Sequence, residues 1–261
     1  VLGSLAESYL RHRGITALRD LGSLHFHPGC YYRPRGSRGT RMLPAMVASV
    51  TDLADTVTGA HRTWLAPDGS GKAPVETPRR AMGDLLGHAV RFDTAAEVLV
   101  AGEGIETVLS PRQVLPRMPM LAALSAAHLA AILFPPSLRR LYVVRDRDPA
   151  GDGARDGLAA RAESLGIEAM SLTPLNGDFN DDLRRHGADA LRLILRYAFD
   201  ELNLERVGLD VIANNQAAMR AYERTGFRRE GAMRRAVVRD GQAYDRVIMG
   251  ILREEWKREG L

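Results

Sequence analysis

Cysteine is almost missing from this 261-residue sequence. Cys30 stands alone, which excludes an internal disulfide and fits a reducing, cytoplasmic compartment. No run of about 18 apolar residues occurs, so no helix can span a membrane. Aromatic residues make up only 6% of the chain, but an apolar share of 45% is ample for a core. Lysine is scarce beside arginine, and the net charge is only +4. A mild basic excess permits a polyanionic partner without requiring one. The chain opens Val-Leu-Gly-Ser with neither an initiator methionine nor a basic-then-apolar signal segment, as a fragment or processed chain would. The length suits one large or two small domains.

The most informative stretch runs from Leu141 to Gly153. Leu141 to Val144 reads as a short buried strand. Asp146 and Asp148 follow it, and Pro149 to Gly153 opens a helix. Residues i and i+2 of an extended segment point to the same side. Asp146 and Asp148 can therefore converge on one hard cation just past the strand's carboxyl end, where open α/β sheets place their ligands. Oxygen-only donors favour Mg²⁺ or Mn²⁺ over zinc. A turn with a helix cap is the competing reading of the same residues.

Residues 1–92 read as a basic α+β module. Leu5 to Arg13 has helical spacing and stops at Gly14. Leu24 to Cys30 reads as a strand leading into a Pro-Gly turn. His25, His27 and Cys30 invite a zinc reading, but no second ligand cluster accompanies them. Ala45 to Thr51 and Val57 to Leu65 alternate like a hairpin. The turn-rich loop from Pro67 to Lys72 lacks the Gly-x-x-x-x-Gly spacing of a Walker A loop. Arg62, Lys72, Arg79 and Arg80 gather here, either as a solvated face or as contacts to the phosphates of nucleotide or nucleic acid.

Residues 93–186 alternate strand and helix, which argues for a parallel sheet flanked by helices. The expected strands are Glu97–Ala101, Met120–Ala123, Leu141–Val144 and Ile167–Leu172. Between them come a helix after Gly102-Glu103-Gly104, a helix over Ala126–Leu133 capped by Ser125, and one over Ala154–Leu165. Gly177-Asp178-Phe179-Asn180-Asp181-Asp182 then brings further carboxylates to the loop edge that carries Asp146.

Gly-Glu-Gly after one strand, Asp-x-Asp-x-Ala-Gly after a later one and then Asp-x-Asn-Asp resemble, in that order, the Toprim domain of bacterial-type primases, topoisomerases and some nucleases. His61 to Leu65, Lys72 and Pro78-Arg79-Arg80 resemble the region that precedes Toprim in primase-like proteins of phages and mobile elements. The resemblance implies phosphoryl transfer. Glu103 would be the general acid or base, and Asp146 and Asp148 would hold Mg²⁺ (or Mn²⁺), with Asp152, Asp178 and Asp181 as lesser ligands. The chemistry is coherent, because phosphoryl transfer needs metal-borne charge neutralisation and a group that moves a proton. A carboxylate among other carboxylates keeps its proton more readily. A helix-start carboxylate favoured by the helix dipole is the ordinary alternative for Glu103. One departure stands out: many primase-type domains carry an aspartate four residues after the glutamate, where this chain has Thr107, with Glu106 beside it.

Residues 187–261 break the βα pattern. Leu191, Ile194, Leu195, Ala198 and Leu202 form one helical stripe. A strand is expected over Arg206–Ile212, a helix from Asn214-Asn215 to Gly226, and strands over Met233–Val238 and Tyr244–Leu252 joined at Asp240-Gly241. Arg206-Val207-x-Leu209, Asn215-x-x-Ala218-x-x-x-Tyr222-Glu223-x-x-Gly226-Phe227 and Glu230-Gly231 resemble the C-terminal half of GNAT acetyltransferases. That resemblance implies an acetyl-CoA contact at Asn215 and a proton donor to the leaving thiolate at Tyr222. Arg185 and Gly187 are the candidates for the pyrophosphate loop, where a Gly-rich helix start is expected. A helix cap for Asn215 and a packed aromatic for Tyr222 are the plainer readings. The upstream strands of a complete GNAT domain are missing, which points to two genes joined near Gly187 to Arg192.

The expected fold is therefore α/β: an N-terminal α+β module, a Toprim-like parallel sheet and a partial GNAT-like mixed α/β segment. The expected activity is primase-like nucleotidyl transfer, with a nuclease as nearest competitor. The alternatives are an acetyl-CoA-dependent N-acetyltransferase and a non-catalytic nucleic-acid-binding fragment. The implied partners are DNA or RNA and nucleotides, with a helicase or another chain pairing with a sheet edge left open near Arg206–Ile212.

Overall fold

The computed structural model describes all residues except 114, 116, 145–148, 173, 175–177, 181–187, 202, 240 and 257–261. At several helix and strand positions, Asp152 among them, only the backbone is described. The chain divides into two compact units: Val1–Ser110 with Arg117–Asn180, and Pro111–Pro116 with Asp181–Leu261.

The first unit contains two sheets. The helix α1 (Leu5–His12) precedes a four-stranded antiparallel meander in the order β1-β2-β3-β4: β1 (Leu24–Tyr32), β2 (Arg41–Thr51), β3 (Val57–Trp64) and β4 (Arg79–Gly83). The expected turn at Pro28-Gly29 is instead an irregularity within β1, where the register with β2 shifts between His27 and Cys30. Proline is tolerated there because β1 is an edge strand and loses no ladder bond. β4 was not expected from the sequence: its Arg-Arg-Ala-Met-Gly is mostly exposed and carries no alternation of polarity.

The second sheet has the order β5-β7-β6-β8-β9, from β5 (Val90–Phe92), β6 (Val98–Gly102), β7 (Met120–Ala122), β8 (Arg140–Val144) and β9 (Glu168–Leu172). Strands β7, β6, β8 and β9 run parallel, as the alternating pattern implies. The short β5 adds an antiparallel edge against β7. Helices α2 (Ile105–Leu109), α3 (Ala126–Ala131) and α4 (Pro149–Ser164) connect the parallel strands. One face of the sheet, including Leu99, Ala101, Leu141 and Val143, packs with Leu129 and Ile132 from around α3 and with Leu158 and Ala162 of α4. The inner strands β6, β7 and β8 are buried on both faces, because Val100, Met120, Tyr142 and Val144 on the other side are also inaccessible. This explains the nearly continuous apolar runs.

In the second unit, α5 (Ala188–Arg196) leads into a π-helical turn at Tyr197–Glu201. Leu191, Ile194, Leu195 and Ala198 of the expected stripe are buried, while Leu202 lies outside the described residues. The strands β10 (Arg206–Ile212), β11 (Arg228–Arg239) and β12 (Gln242–Leu252) form an antiparallel sheet in the order β10-β12-β11, with α6 (Gln216–Arg224) between β10 and β11. β10 ends that sheet, as expected, and among the described residues it pairs with β12 alone.

Candidate active site

The parallel sheet has a switch point at the carboxyl ends of β6 and β8. The chain leaves β6 for β7 on one side and later returns to β8 on the other. Open α/β sheets bind ligands where successive connections diverge in this way. Gly102, the last residue of β6, is the register partner of Val144, the last of β8. Glu103 follows the first, and Asp146 and Asp148 follow the second in sequence. Glu103 is half-buried, and its backbone carbonyl accepts a hydrogen bond from Leu124 N–H at 2.8 Å. The Gly102 carbonyl accepts from Ala123 N–H at 2.9 Å, so the turn bearing Glu103 is tied to the end of β7. Gly102 is required by space: a Cβ there would stand 2.7 Å from Val108 Cγ2 and 3.0 Å from the Val144 carbonyl oxygen.

Asp146, Asp148 and Asp181 lie outside the described residues, as do Arg185 and Gly187, and Asp152 is described by its backbone alone. Asp178 is half-buried and comes after β9, whose last residue, Leu172, pairs with Val144. Among the described residues no group of three or more His, Cys, Asp or Glu side chains is arranged to hold a metal ion. The donors that the sequence brings to this sheet edge are all carboxylates, a set that fits Mg²⁺ or Mn²⁺ better than zinc.

A second carboxylate, whose role sequence reasoning missed, lies one turn beyond Glu103. Glu106, in the first turn of α2, is only 6% exposed. It accepts a hydrogen bond from the Tyr9 hydroxyl of α1, and Lys72 Nζ stands 3.4 Å from its Oε1. Burial alone would raise its pKa. The Lys72 charge, the Tyr9 hydrogen bond, its own backbone N–H and the more distant Arg79 outweigh burial and hold it at about 2. Burial pushes the Tyr9 phenol up, and the neighbouring Glu106 charge reinforces this. Burial also lowers the His61 pKa to about 4. Glu106 opposes that shift, while Arg79, Lys72 and Arg62 add to it, so His61 is neutral at pH 7. The loop that delivers Lys72 is closely fitted. Asp68 accepts from Ser70 N–H at 3.0 Å, and Gly69 adopts φ +69° where a Cβ would approach Ser8 Cβ to 2.8 Å. Asn180 is fully buried, and its amide donates to the Arg13 carbonyl at 2.7 Å and to Ser110 Oγ at 3.1 Å. The Asp-Phe-Asn segment is thus tied to the ends of α1 and α2.

The four basic residues singled out in the sequence do not form one patch. Side chains alternate across a strand. On β3, His61 and Thr63 face inward, where His61 feels the charges of Glu106 and Lys72, while Arg62 and Trp64 face the other way. Arg79 is the register partner of Thr63, and Arg80 that of Arg62. Lys72 and Arg79 therefore lie near Glu106. Arg62 and Arg80 stack on the opposite face: Arg62 lies 5.1 Å from the Trp64 ring centroid, and Arg80 lies 4.9 Å from that of Tyr32.

In the second unit, Asn215 caps α6, its Oδ1 accepting from Ala218 N–H at 3.2 Å. Tyr222 is buried, with its ring centroid 5.8 Å from that of Phe227. Both plainer roles are thus occupied in the fold.

Comparison with known proteins finds different matches for different segments of the chain. Residues 1–92 match a family model described as a domain of unknown function (DUF7146), residues 98–189 match the Toprim domain, and residues 181–227 match the acetyltransferase (GNAT) family. The probable N-acetyltransferase YjcK of Bacillus subtilis is 39% identical over 64 residues, covering 24% of this chain and 35% of YjcK. The SPbeta prophage-derived N-acetyltransferase YokL of the same organism is 32% identical over 69 residues, covering 26% of this chain and 39% of YokL. The chain thus spans well under half of either relative. The primase fragment of the bacteriophage T7 primase-helicase protein superposes with a TM-score of 0.50 over 71% of this chain and 72% of that one. At 13% identity, that likeness is one of fold.

Proposed function

We propose that this chain is a metal-dependent nucleic-acid enzyme of Toprim type that carries out primase-like nucleotidyl transfer, as in the replication of a mobile element. The observation that carries this reading is the pairing of Gly102 with Val144 at the switch point, because Glu103 directly follows Gly102 and, in sequence, Asp146 and Asp148 come just after Val144. The Toprim match over residues 98–189 agrees with it. Asp146 and Asp148 would hold Mg²⁺ or Mn²⁺, with Asp152, Asp178 and Asp181 as further donors. When bound, the cation supplies charge neutralisation to the transferring phosphate. Glu103 moves the proton of the attacking or leaving oxygen. Glu106 is a positioning group: with its charge fixed by Lys72 and Tyr9, it anchors the start of α2 beside Glu103. A helicase acting in trans would be a natural partner of such an activity.

The test is primer synthesis on a single-stranded template with Mg²⁺, comparing the wild type with Glu103→Gln. Loss of a general acid or base lowers turnover by about 10² to 10⁴-fold. Primer synthesis that is unchanged in Glu103→Gln would refute the assignment. Cleavage of the template without synthesis would move the chain to the nuclease branch.

A second reading rests on the GNAT match over residues 181–227: the tail binds acetyl-CoA through Asn215, with Tyr222 as proton donor. Saturable acetyl-CoA binding that is lost in Asn215→Asp, with α6 still capped, would support it. Absence of binding in the folded wild type would dismiss it.

A further inference from the structure

The outer face of the N-terminal meander carries a feature that the carboxylate site does not use. A concave site of about 470 Å³ is lined by Tyr31, Arg33, Thr40, Arg62, Trp64 and Arg80. Its three cations are all arginines. Arg62 lies over Trp64, and Arg80 is pinned by hydrogen bonds from Nη1 to the Arg33 carbonyl at 2.7 Å and from Nε to Thr77 Oγ1 at 3.0 Å. The guanidinium planes are therefore held in place before any ligand arrives. Arg62 Nε is buried with no hydrogen-bond partner among the described residues. Tyr31 is 69% exposed at the rim. The adjoining β1–β2 loop adds Arg35 and Arg38, β2 opens with Arg41, and residues 24–51 contain no carboxylate. Among the described residues, none of the arginines lining this site forms an ion pair.

We infer that this face binds single-stranded nucleic acid, with phosphates on Arg33, Arg62 and Arg80 and an unpaired base stacked on Tyr31. Planar guanidiniums match phosphate oxygens in a way that point charges do not. An exposed ring beside a cationic groove is the arrangement that holds unpaired bases without reading their sequence. The volume suits about one nucleotide. Because Arg62 and Trp64 face away from His61 and Glu106, this site lies on the opposite side of the meander from the Glu106 cluster. It would hold a template strand at a distance from the chemistry. The choice of ligand rests on the nucleic-acid reading above; the site itself needs neither metal nor nucleotide.

The experiment is fluorescence anisotropy with a labelled oligothymidylate in EDTA, across a salt series, using the full chain. Tyr31→Ala and an Arg33→Ala, Arg35→Ala pair alter exposed side chains, and circular dichroism checks that the variants are folded. In the wild type, log affinity should fall with log salt at a slope of about −2, from three phosphate contacts at about −0.7 each. Tyr31→Ala should weaken binding by roughly five- to a hundred-fold at constant salt slope. The arginine pair should make the slope shallower. Oligonucleotide binding that is unchanged in both variants overturns this site while leaving the nucleotidyl-transfer reading intact. Binding to phosphatidylserine vesicles in place of the oligonucleotide also overturns it. Primer synthesis without any metal-free oligonucleotide binding would separate the two proposals in favour of the carboxylate site alone.

Discussion

Replacing Lys72 by methionine would strip a buried carboxylate of its counter-charge. Glu106 is held at about 2, against about 4.5 for a free glutamate, so its ionised form is favoured by the fold. At about 1.4 kcal/mol per pKa unit, that difference amounts to roughly 3 kcal/mol of stability at neutral pH. Removing one partner of a buried pair typically costs about 3–5 kcal/mol, because the remaining charge is left desolvated. Lys72→Met should therefore lower stability by at least 3 kcal/mol at pH 7. Glu106→Gln should cost less, since the half-exposed Lys72 ammonium can turn to water. The double variant should lose less than the sum of the two single losses, by a coupling of about 1–3 kcal/mol. Urea unfolding followed by Trp64 fluorescence in a Trp256→Phe background reads the first unit alone, because the two tryptophans lie in different units. Additivity within about 0.5 kcal/mol, or a Lys72→Met loss below about 1 kcal/mol, would refute the pairing as the reason Glu106 stays ionised.

Acid stability follows from the same cluster. His61 falls from 6.5 to about 4 in the fold and Glu106 from 4.5 to about 2, so the unfolded chain binds more protons throughout both windows. Stability should decline as pH drops from about 6.5, by up to about 1.4 kcal/mol per unit, and His61→Leu should flatten the part above pH 4.5 in urea midpoints. An equally steep decline in that variant would point to another group. Gly102→Ala should cost about 1–3 kcal/mol and depress primer synthesis, because its Cβ would press on Val108 and on the Val144 carbonyl at the site's own hinge. Unchanged thermal melting would show that the turn yields freely.

β6, β7 and β8 were legible because each is a short apolar run followed by turn residues, and strands buried on both faces leave that mark; β9 was legible from its place after a helix in the alternating pattern. β10 and the antiparallel pairing of β11 with β12 were legible from local signals too, strand alternation in the one and a turn dipeptide between the others. β4 and β5 were not: one is an exposed arginine-bearing edge and the other only three residues long, so neither carries a period. Glu103 and its place at a strand end could be read from Gly-Glu-Gly after an apolar run. Glu106 could not, because its significance depends on Tyr9 and Lys72, 97 and 34 positions away, meeting it in a buried space. The split of the four basic residues between two faces follows from strand alternation. It could have been found by asking which residues of the expected strand Val57 to Leu65, and which of its neighbours, share parity. Asn180 offered a signal only as part of the Asp-x-Asn-Asp pattern, and its contacts with Arg13 and Ser110 are long-range.

Titrating Mn²⁺ into the chain by calorimetry, beside an Asp146→Asn, Asp148→Asn double variant, tests the carboxylate site most directly. The expected result is saturable binding in the wild type and its loss in a variant whose circular dichroism is unchanged. Binding of equal affinity in both proteins would contradict the assignment of Asp146 and Asp148 as the metal-holding pair.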